Sequence, residues 1–288
     1  MLQLIKRLRR SLIESRYTLG ARFRRSNGTV STPRSTPVIV TLTSYGVRLN
    51  TVHLTIESIL SQSSRADRII LWQSRSLNEL PATLTRLLNR GLEIRQVTDL
   101  GPVTKVLYAA REFPDAVLVT ADDDLIYPRR WLEALLAEHH RSPAAIVCHR
   151  AHLMTWASQG LIAPYNAWGY GAPNYQGPSL MLFPTGVSGV LYPPRSLHPD
   201  VVDITVNQAI CRSNDDVWLK AMSLRNGTAC VKVAPQSRDF YTIRGTQDAA
   251  LWRTNSESAN DIQLQAVFDR YAIPAHLWSM TSGERSDG

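Results

Sequence analysis

From Pro37 onward the sequence alternates short apolar runs with longer amphipathic stretches, and this alternation constrains the fold more than any other feature. Val38–Thr43 (VIVTLT), Arg68–Trp72 (RIILW), Leu92–Val97, Ala116–Thr120 (AVLVT) and Ala144–Cys148 have the β-branched, near-continuous apolar character of buried strands. Helical patterns lie between them. Leu49–Gln62 puts Val52, Ile56, Ile59 and Leu60 on one face, Leu80–Asn89 ends at Gly91, Thr104–Glu112 follows a Gly101-Pro102 turn, and Trp131, Leu132, Leu135 and Leu136 form a stripe in a helix opened by Pro128. Farther on, Gly186–Tyr192 is expected as a strand, Asp215–Leu224 as a helix ended by Gly227, and Asp261–Tyr271 as a last helix. The pattern predicts an α/β fold: one domain on a mostly parallel sheet with helices on both faces. In such sheets ligands bind beyond the carboxyl ends of the strands.

The charge is distributed unevenly. The 288 residues contain 32 Lys+Arg and 24 Asp+Glu, a formal net charge of +8. Residues 1–34 hold nine of the basic residues and one acid, Glu14, so they account for the whole surplus and the remaining chain balances at 23 to 23. A nucleic-acid-binding body is therefore not expected, because such bodies carry their positive field on the folded domain. An apolar content of 44% excludes general disorder. Three cysteines, Cys148, Cys211 and Cys230, do not make a disulfide framework and suit a reducing compartment. No apolar run approaches the roughly 18 residues of a spanning helix.

Within residues 1–34, Leu4, Ile5, Leu8 and Leu12 share a helix face opposite Lys6, Arg7 and Arg10, and the turn formers from Ser26 to Pro37 follow as a linker. Such a basic amphipathic segment predicts attachment of residues 1–30 to an anionic membrane surface. Packing on its own domain and an Arg-rich transit peptide are the alternative readings. Residues 35–275 are read as the folded domain and 276–288 as a disordered tail.

Two polar clusters fall at predicted strand ends: Thr43-Ser44-Tyr45 and Asp122-Asp123-Asp124. Three adjacent carboxylates repel one another unless water or a cation neutralises them, and carboxylate oxygens suit Mg²⁺ or Mn²⁺. The bland alternative is a solvated turn or helix cap. Asp215 and Asp216, after Asn214, either cap the helix whose dipole favours them or supply a general base, and spacing alone favours capping. Lys105, at a helix start, suits an anionic partner or is a solvated surface lysine. Tyr45 with Arg48 would hold a base and a phosphate, or close a turn. His149, Arg150 and His152 form no metal set with cysteine. Residues 155–184, with Trp156, Tyr165, Trp168, Tyr170 and Tyr175, read as a sugar-stacking loop or a cover for the sheet edge.

Six segments in order carry a family resemblance: VTLTSY at Val40–Tyr45, GPVTK at Gly101–Lys105, TADDDLIYP at Thr120–Pro128, CHRAH at Cys148–His152, PTGVSGVLYPP at Pro184–Pro194 and NDDVWLKAM at Asn214–Met222. The chain resembles bacterial nucleotide-sugar glycosyltransferases of the Rossmann-type GT-A fold, similar to the family-2-like enzymes that build cell-surface polysaccharides. The resemblance implies that Thr43, Ser44 and Tyr45 hold the nucleotide base and that Lys105 lies near the donor. It implies that Asp122 and Asp124 form the DxD pair contacting ribose and metal, with the place of Asp123 in the triplet open. Gly186 to Gly189 would line the sugar pocket, and Asp215-Asp216 would carry the catalytic base, in the first place Asp216. Ser188 stands where glycine is expected, and Asp215 where glutamate is common. The implied activity is metal-dependent, inverting transfer, with Mn²⁺ or Mg²⁺, from a nucleotide-sugar donor to a glycan or lipid-linked glycan acceptor. The implied location is cytoplasmic, peripheral at the inner face of the membrane. The rivals are a nucleotidyltransferase, which TLTSYGVR with its single glycine fits poorly, and a non-catalytic glycan-binding or assembly protein, which would have lost an acid.

Overall fold

The computed structural model describes residues 2–158, 160–246, 257–274 and 277, without the side chains of 2–10, 21–22 and 257–259. The expected tail at 276–288 lies, Leu277 apart, outside the described residues. The chain runs α1 (Leu2–Phe23), β1 (Val38–Thr43), α2 (Val52–Leu60), β2 (Arg68–Gln73), α3 (Ala82–Leu88), β3 (Leu92–Gln96), α4 (Thr104–Glu112) and β4 (Val117–Thr120). It continues with β5 (Leu125–Ile126), α5 (Trp131–Arg141), β6 (Ile146–Cys148), β7 (Ala151–Leu153), β8 (Trp156–Ser158), β9 (Leu161–Ile162), β10 (Leu182–Pro184) and β11 (Val190–Tyr192). The last elements are α6 (Ile204–Ile210), α7 (Asp215–Arg225), β12 (Cys230–Lys232), β13 (Tyr241–Thr242) and α8 (Glu257–Arg270).

Seven strands form one sheet in the order β12-β6-β11-β4-β1-β2-β3. All neighbours are parallel except β11, which runs antiparallel to both β4 and β6. The order reverses at β1: β2 and β3 extend one way and β4 lies on the other side. That reversal leaves a crevice at the carboxyl ends of β1 and β4, the place where open α/β sheets bind ligands.

Period-two alternation splits the strand residues between two cores. From β1, Ile39 enters a cluster with Val106, Leu107, Val217 and Trp218 of α4 and α7. Val38, Val40 and Leu42 enter a second cluster with Ile56, Leu84 and Leu135 of α2, α3 and α5. Burying both faces explains why the strands read as near-continuous apolar runs.

The structure corrects several local expectations. Gly186–Tyr192 is not one strand: Gly186–Ser188 form a 3-10 turn, and only Val190–Tyr192 pair in the sheet. Gly189, at φ +84°, turns the chain between them. The helix after Pro128 starts at Trp131, whose N–H donates to the Pro128 carbonyl, so the proline belongs to the preceding turn. Helix α6 and strand β12 were not anticipated, since each is too short to show a period.

Helix α1 packs on α2 and α3. Tyr17 is buried, Arg24 pairs with Glu57 of α2 at 3.3 Å, and Glu14 accepts from Arg244 at 2.9 Å. The stretch after it follows the domain edge through Gly28 N–H to Arg90 O and Val30 N–H to Ala66 O, with Arg34 paired to Asp67 at 2.6 Å. Among the described residues no helix is long and apolar enough to cross a membrane.

Candidate active site

The strand-end clusters meet at the crevice. Thr43 and Trp72 are register partners, and the Thr43 hydroxyl donates to the Trp72 carbonyl at 3.0 Å. Tyr45, beyond the strand, is exposed. Ser44 is buried and donates to Asp123 Oδ2 at 2.6 Å. Arg48 donates to the other oxygen of Asp123 at 2.6 Å and stands 3.4 Å from Asp124. Ser44, Arg48 and Asp123 therefore form an internal clamp joining the β1 loop to the acidic triplet. Burial pushes the Asp123 carboxyl up, with Asp122 adding to the rise and Arg48 and Ser44 opposing it.

The triplet thus divides by direction. Asp123 and Asp124 are both buried and share Arg48, whereas the Asp122 side chain keeps 25% exposure and faces Lys105. The backbone is held from several elements: Tyr127 Oη accepts from Asp122 N–H at 2.8 Å, Thr55 donates to Asp123 O, and Ile243 N–H donates to Asp124 O. Arg48 also reaches Thr246 O at 3.2 Å. Tyr127 and the 243–246 return were not anticipated, because contacts this distant in sequence leave no local pattern.

Lys105 is no surface lysine. It is buried, 2.6 Å from Asp122 Oδ1 and 3.1 Å from Asp215 Oδ2. Thr41 of β1 bonds the Lys105 carbonyl and accepts from Trp72 Nε1, which sets the start of α4 against the sheet. Burial alone would lower the Lys105 ammonium, but Asp122, Asp215 and Asp216 outweigh it and raise it well above its usual value.

Asn214 caps α7 through Val217 N–H at 3.1 Å, so neither aspartate after it serves as the cap. Asp216 instead accepts from Gly186 N–H at 2.9 Å. A Cβ on residue 186 would stand 2.9 Å from Asp216 Oδ1, so any side chain there would have to displace that carboxylate. Burial pushes the Asp216 carboxyl up, Asp215 adds to the rise and Lys105 offsets only part of it, leaving it at about 8. Gly189 packs against the Trp131 ring, and Trp131 Nε1 donates to Ser188 O at 2.9 Å. The Ser188 hydroxyl donates to Arg238 O at 2.7 Å.

Three carboxylates, Asp122, Asp215 and Asp216, thus surround one ammonium, and Asp215 Oδ2, which pairs with Lys105, makes no hydrogen bond among the described residues. This hard-oxygen, acid-rich set fits a divalent cation. Among the described residues no group of three His, Cys, Asp or Glu side chains would hold an ion by itself. A cation on the Asp122 and Asp124 pair that the family resemblance implies would need phosphate oxygens of a ligand to complete its shell, as Mg²⁺ commonly does.

The aromatic segment is divided. Trp168 is buried against Phe183, while Tyr170 is exposed, stacked on His152 at 4.6 Å and beneath Arg150 at 5.0 Å. Two buried lysines anchor it: Lys232 donates to Gly171 O, Ala172 O and Pro235 O, and Lys220 to Leu180 O. Burial lowers His149 and His152 to about 4, so both are neutral packing groups. The cysteines are free and buried.

The fold is that of a GT-A-like α/β domain. Residues 38–169, just under half of the chain, match the family model Glycosyl transferase family 2. The fold is shared with the mannosyltransferase PcManGT from Pyrobaculum calidifontis, solved with GDP-Man and Mn²⁺, at 14% identity and a TM-score of 0.51, covering 93% of this chain and 75% of that one. It is shared equally with S. aureus TarS 1-349 in complex with UDP, at 13% identity and a TM-score of 0.51, covering 82% and 71%. No curated protein matches the chain.

Proposed function

We propose that the protein is a metal-assisted, inverting glycosyltransferase that moves a sugar from a nucleoside-diphosphate donor to a hydroxyl of a glycan or lipid-linked glycan in cell-surface polysaccharide synthesis. The observation that carries this reading is the surplus of carboxylate around Lys105 at the sheet's reversal point. Tyr45 and Thr43 face the base, with the Ser44–Asp123–Arg48 clamp fixing their loop. Asp122 and Asp124 would hold the cation, which as a Lewis acid would stabilise charge on the departing diphosphate. Lys105, buried beside Asp122, supplies a second positive charge to that phosphate.

Asp216 is the general base. A carboxyl raised to about 8 is matched to accepting a proton near neutral pH. The acceptor oxygen attacks the anomeric carbon, the bond to the diphosphate oxygen breaks, and Asp216 takes the hydroxyl proton. Attack opposite the leaving group inverts the anomeric centre, by the logic of inverting glycoside hydrolysis. Exposed Tyr170, held between His152 and Arg150, is offered as a contact for the acceptor. Peripheral attachment to the inner face of a bacterial membrane is assigned to α1.

A thermal-shift screen of nucleotide sugars with and without Mn²⁺ tests the assignment, beginning with GDP-mannose and UDP-sugars. A donor that stabilises the wild type only with Mn²⁺, and stabilises neither Asp122→Ala nor Asp124→Ala, is the expected result. Metal-dependent binding that survives in both variants would remove the triplet from the site.

A further inference from the structure

A cavity of about 620 Å³ lies between α1 and the body. Its lining includes Arg16 and Arg24 from the first segment, Arg65, Arg90 and Arg129 from the body, and no carboxylate. Arg24 and Arg90 are partly neutralised by the buried Glu57 beneath them. Arg16, Arg65 and Arg129 are exposed and make no ion pair among the described residues. Ser61 and Gln62 add polar groups to the wall. The net-neutral body thus contributes three of the five arginines, so the first segment's surplus is joined here to charge from the domain.

The cavity has an apolar neighbour. Leu12, Leu19 and Phe23 are 70%, 56% and 66% exposed. Their spacing of seven and four residues places them in one stripe along α1, at about 100° per residue. By the same step, Arg16 lies about 40° from Leu12, while Ile13 and Tyr17, which face the body, lie about 100° and 140° away. Arg16 therefore stands between the stripe and the cavity. An arginine-lined recess beside an exposed apolar stripe has the two chemistries of an anionic lipid, a phosphate headgroup and acyl chains, side by side.

We infer that this cavity is a binding site for the phosphate headgroup of an anionic membrane lipid, with the Leu12–Leu19–Phe23 stripe entering the acyl boundary beside it. This deepens the membrane attachment in the proposed function and does not depend on the reaction at the sheet's reversal point. A soluble phosphate shares the headgroup's chemistry but makes no use of the stripe.

The test is co-sedimentation of the full chain with phosphatidylcholine vesicles, with and without phosphatidylglycerol. Arg65→Gln/Arg129→Gln should lose affinity for phosphatidylglycerol vesicles by about 30-fold, the share of two arginines near a lipid surface. Arg75→Gln/Arg111→Gln removes equal charge from exposed positions outside the cavity and should stay near the wild type. Leu12→Ser/Leu19→Ser/Phe23→Ser should also release the protein. Equal losses in the two arginine pairs, or undiminished binding by the cavity pair at an unchanged melting temperature, overturn the site. Stabilisation by pyrophosphate that the cavity pair abolishes, with vesicle binding unchanged, overturns the lipid assignment in favour of a soluble anion. Asp216→Asn separates the two proposals, since it should keep vesicle binding whatever its effect on turnover.

Discussion

Lys105 at the sheet's reversal point and Glu57 beneath α1 are each a buried ion of the minority sign. Lys105 is surrounded by Asp122, Asp215 and Asp216, and Glu57 by Arg24 and Arg90, with three further arginines around the cavity above. Each region keeps a surplus that its single counter-ion does not cancel. The difference is where the surplus sits. At the reversal point it is enclosed, so its cost appears as a raised Asp216 carboxyl, a group ready to exchange a proton or meet a cation. Beneath α1 most of it is exposed and solvated, so it acts by attracting an anion and stores little.

The largest expected effect separates chemistry from binding. Asp216→Asn should reduce turnover on the order of 10²–10⁴-fold, the usual contribution of a positioned base, while nucleotide affinity stays unchanged. A wild-type rate in single-turnover assays would move the base elsewhere. Next come the two minority ions themselves. Lys105→Met and Glu57→Leu should each cost about 3–5 kcal/mol in urea unfolding at neutral pH, because each leaves buried charge uncompensated. The Lys105→Met deficit should shrink in acid, where the orphaned carboxylates protonate. The Glu57→Leu deficit should also shrink in acid, but through the wild type: its Glu57 carboxyl, pushed up by burial, takes a proton there and leaves the same arginines uncompensated. A Lys105→Met deficit that does not change with pH would break the comparison.

A smaller effect tests the contact that holds the base. Gly186→Ala brings a methyl against Asp216 Oδ1 and should cost about 1–3 kcal/mol, as overpacking does. An unchanged unfolding midpoint would show that the turn relaxes freely. The smallest effect is a pH-dependent gap in melting temperature. The folded Asp216 carboxyl, at about 8, lies above its unfolded value. Its contribution to stability is therefore complete below the unfolded value and is lost as pH rises from there through about 8. Asp216→Asn has no such proton to lose, so it should out-melt the wild type increasingly from about pH 5 to about pH 8, and by a steady margin above about pH 9. A gap independent of pH would refute the raised carboxyl.

Placement of β1 to β4 and β6, with the helices between them, was legible because both faces of the sheet are buried, which writes long apolar runs at regular intervals. Gly186–Tyr192 misled because a valine-rich run with two glycines has the composition of a strand, while Gly189 at positive φ stops it after one turn. At the candidate site, residue types were legible but their directions were not. Three identical neighbours give no periodicity to tell Asp123, held by Arg48 and Ser44, from Asp122 and Asp124. Lys105 was indistinguishable from a surface lysine until α4 was set against Thr41 and the carboxylates came within 3.1 Å.

By itself the sequence determined the alternating α/β layers, the strand ends where polar clusters gather, and the confinement of the net charge to residues 1–34. These follow from local periodicity and composition, which need no knowledge of what lies far along the chain. Only the tertiary structure decided which charges meet. It brought Lys105 to Asp122 and Asp215, turned Asp123 onto Arg48, and set the arginines of α1 beside those of the body. Electrostatic energy depends on distance in space and on burial, and neither is written in the spacing of residues along the chain.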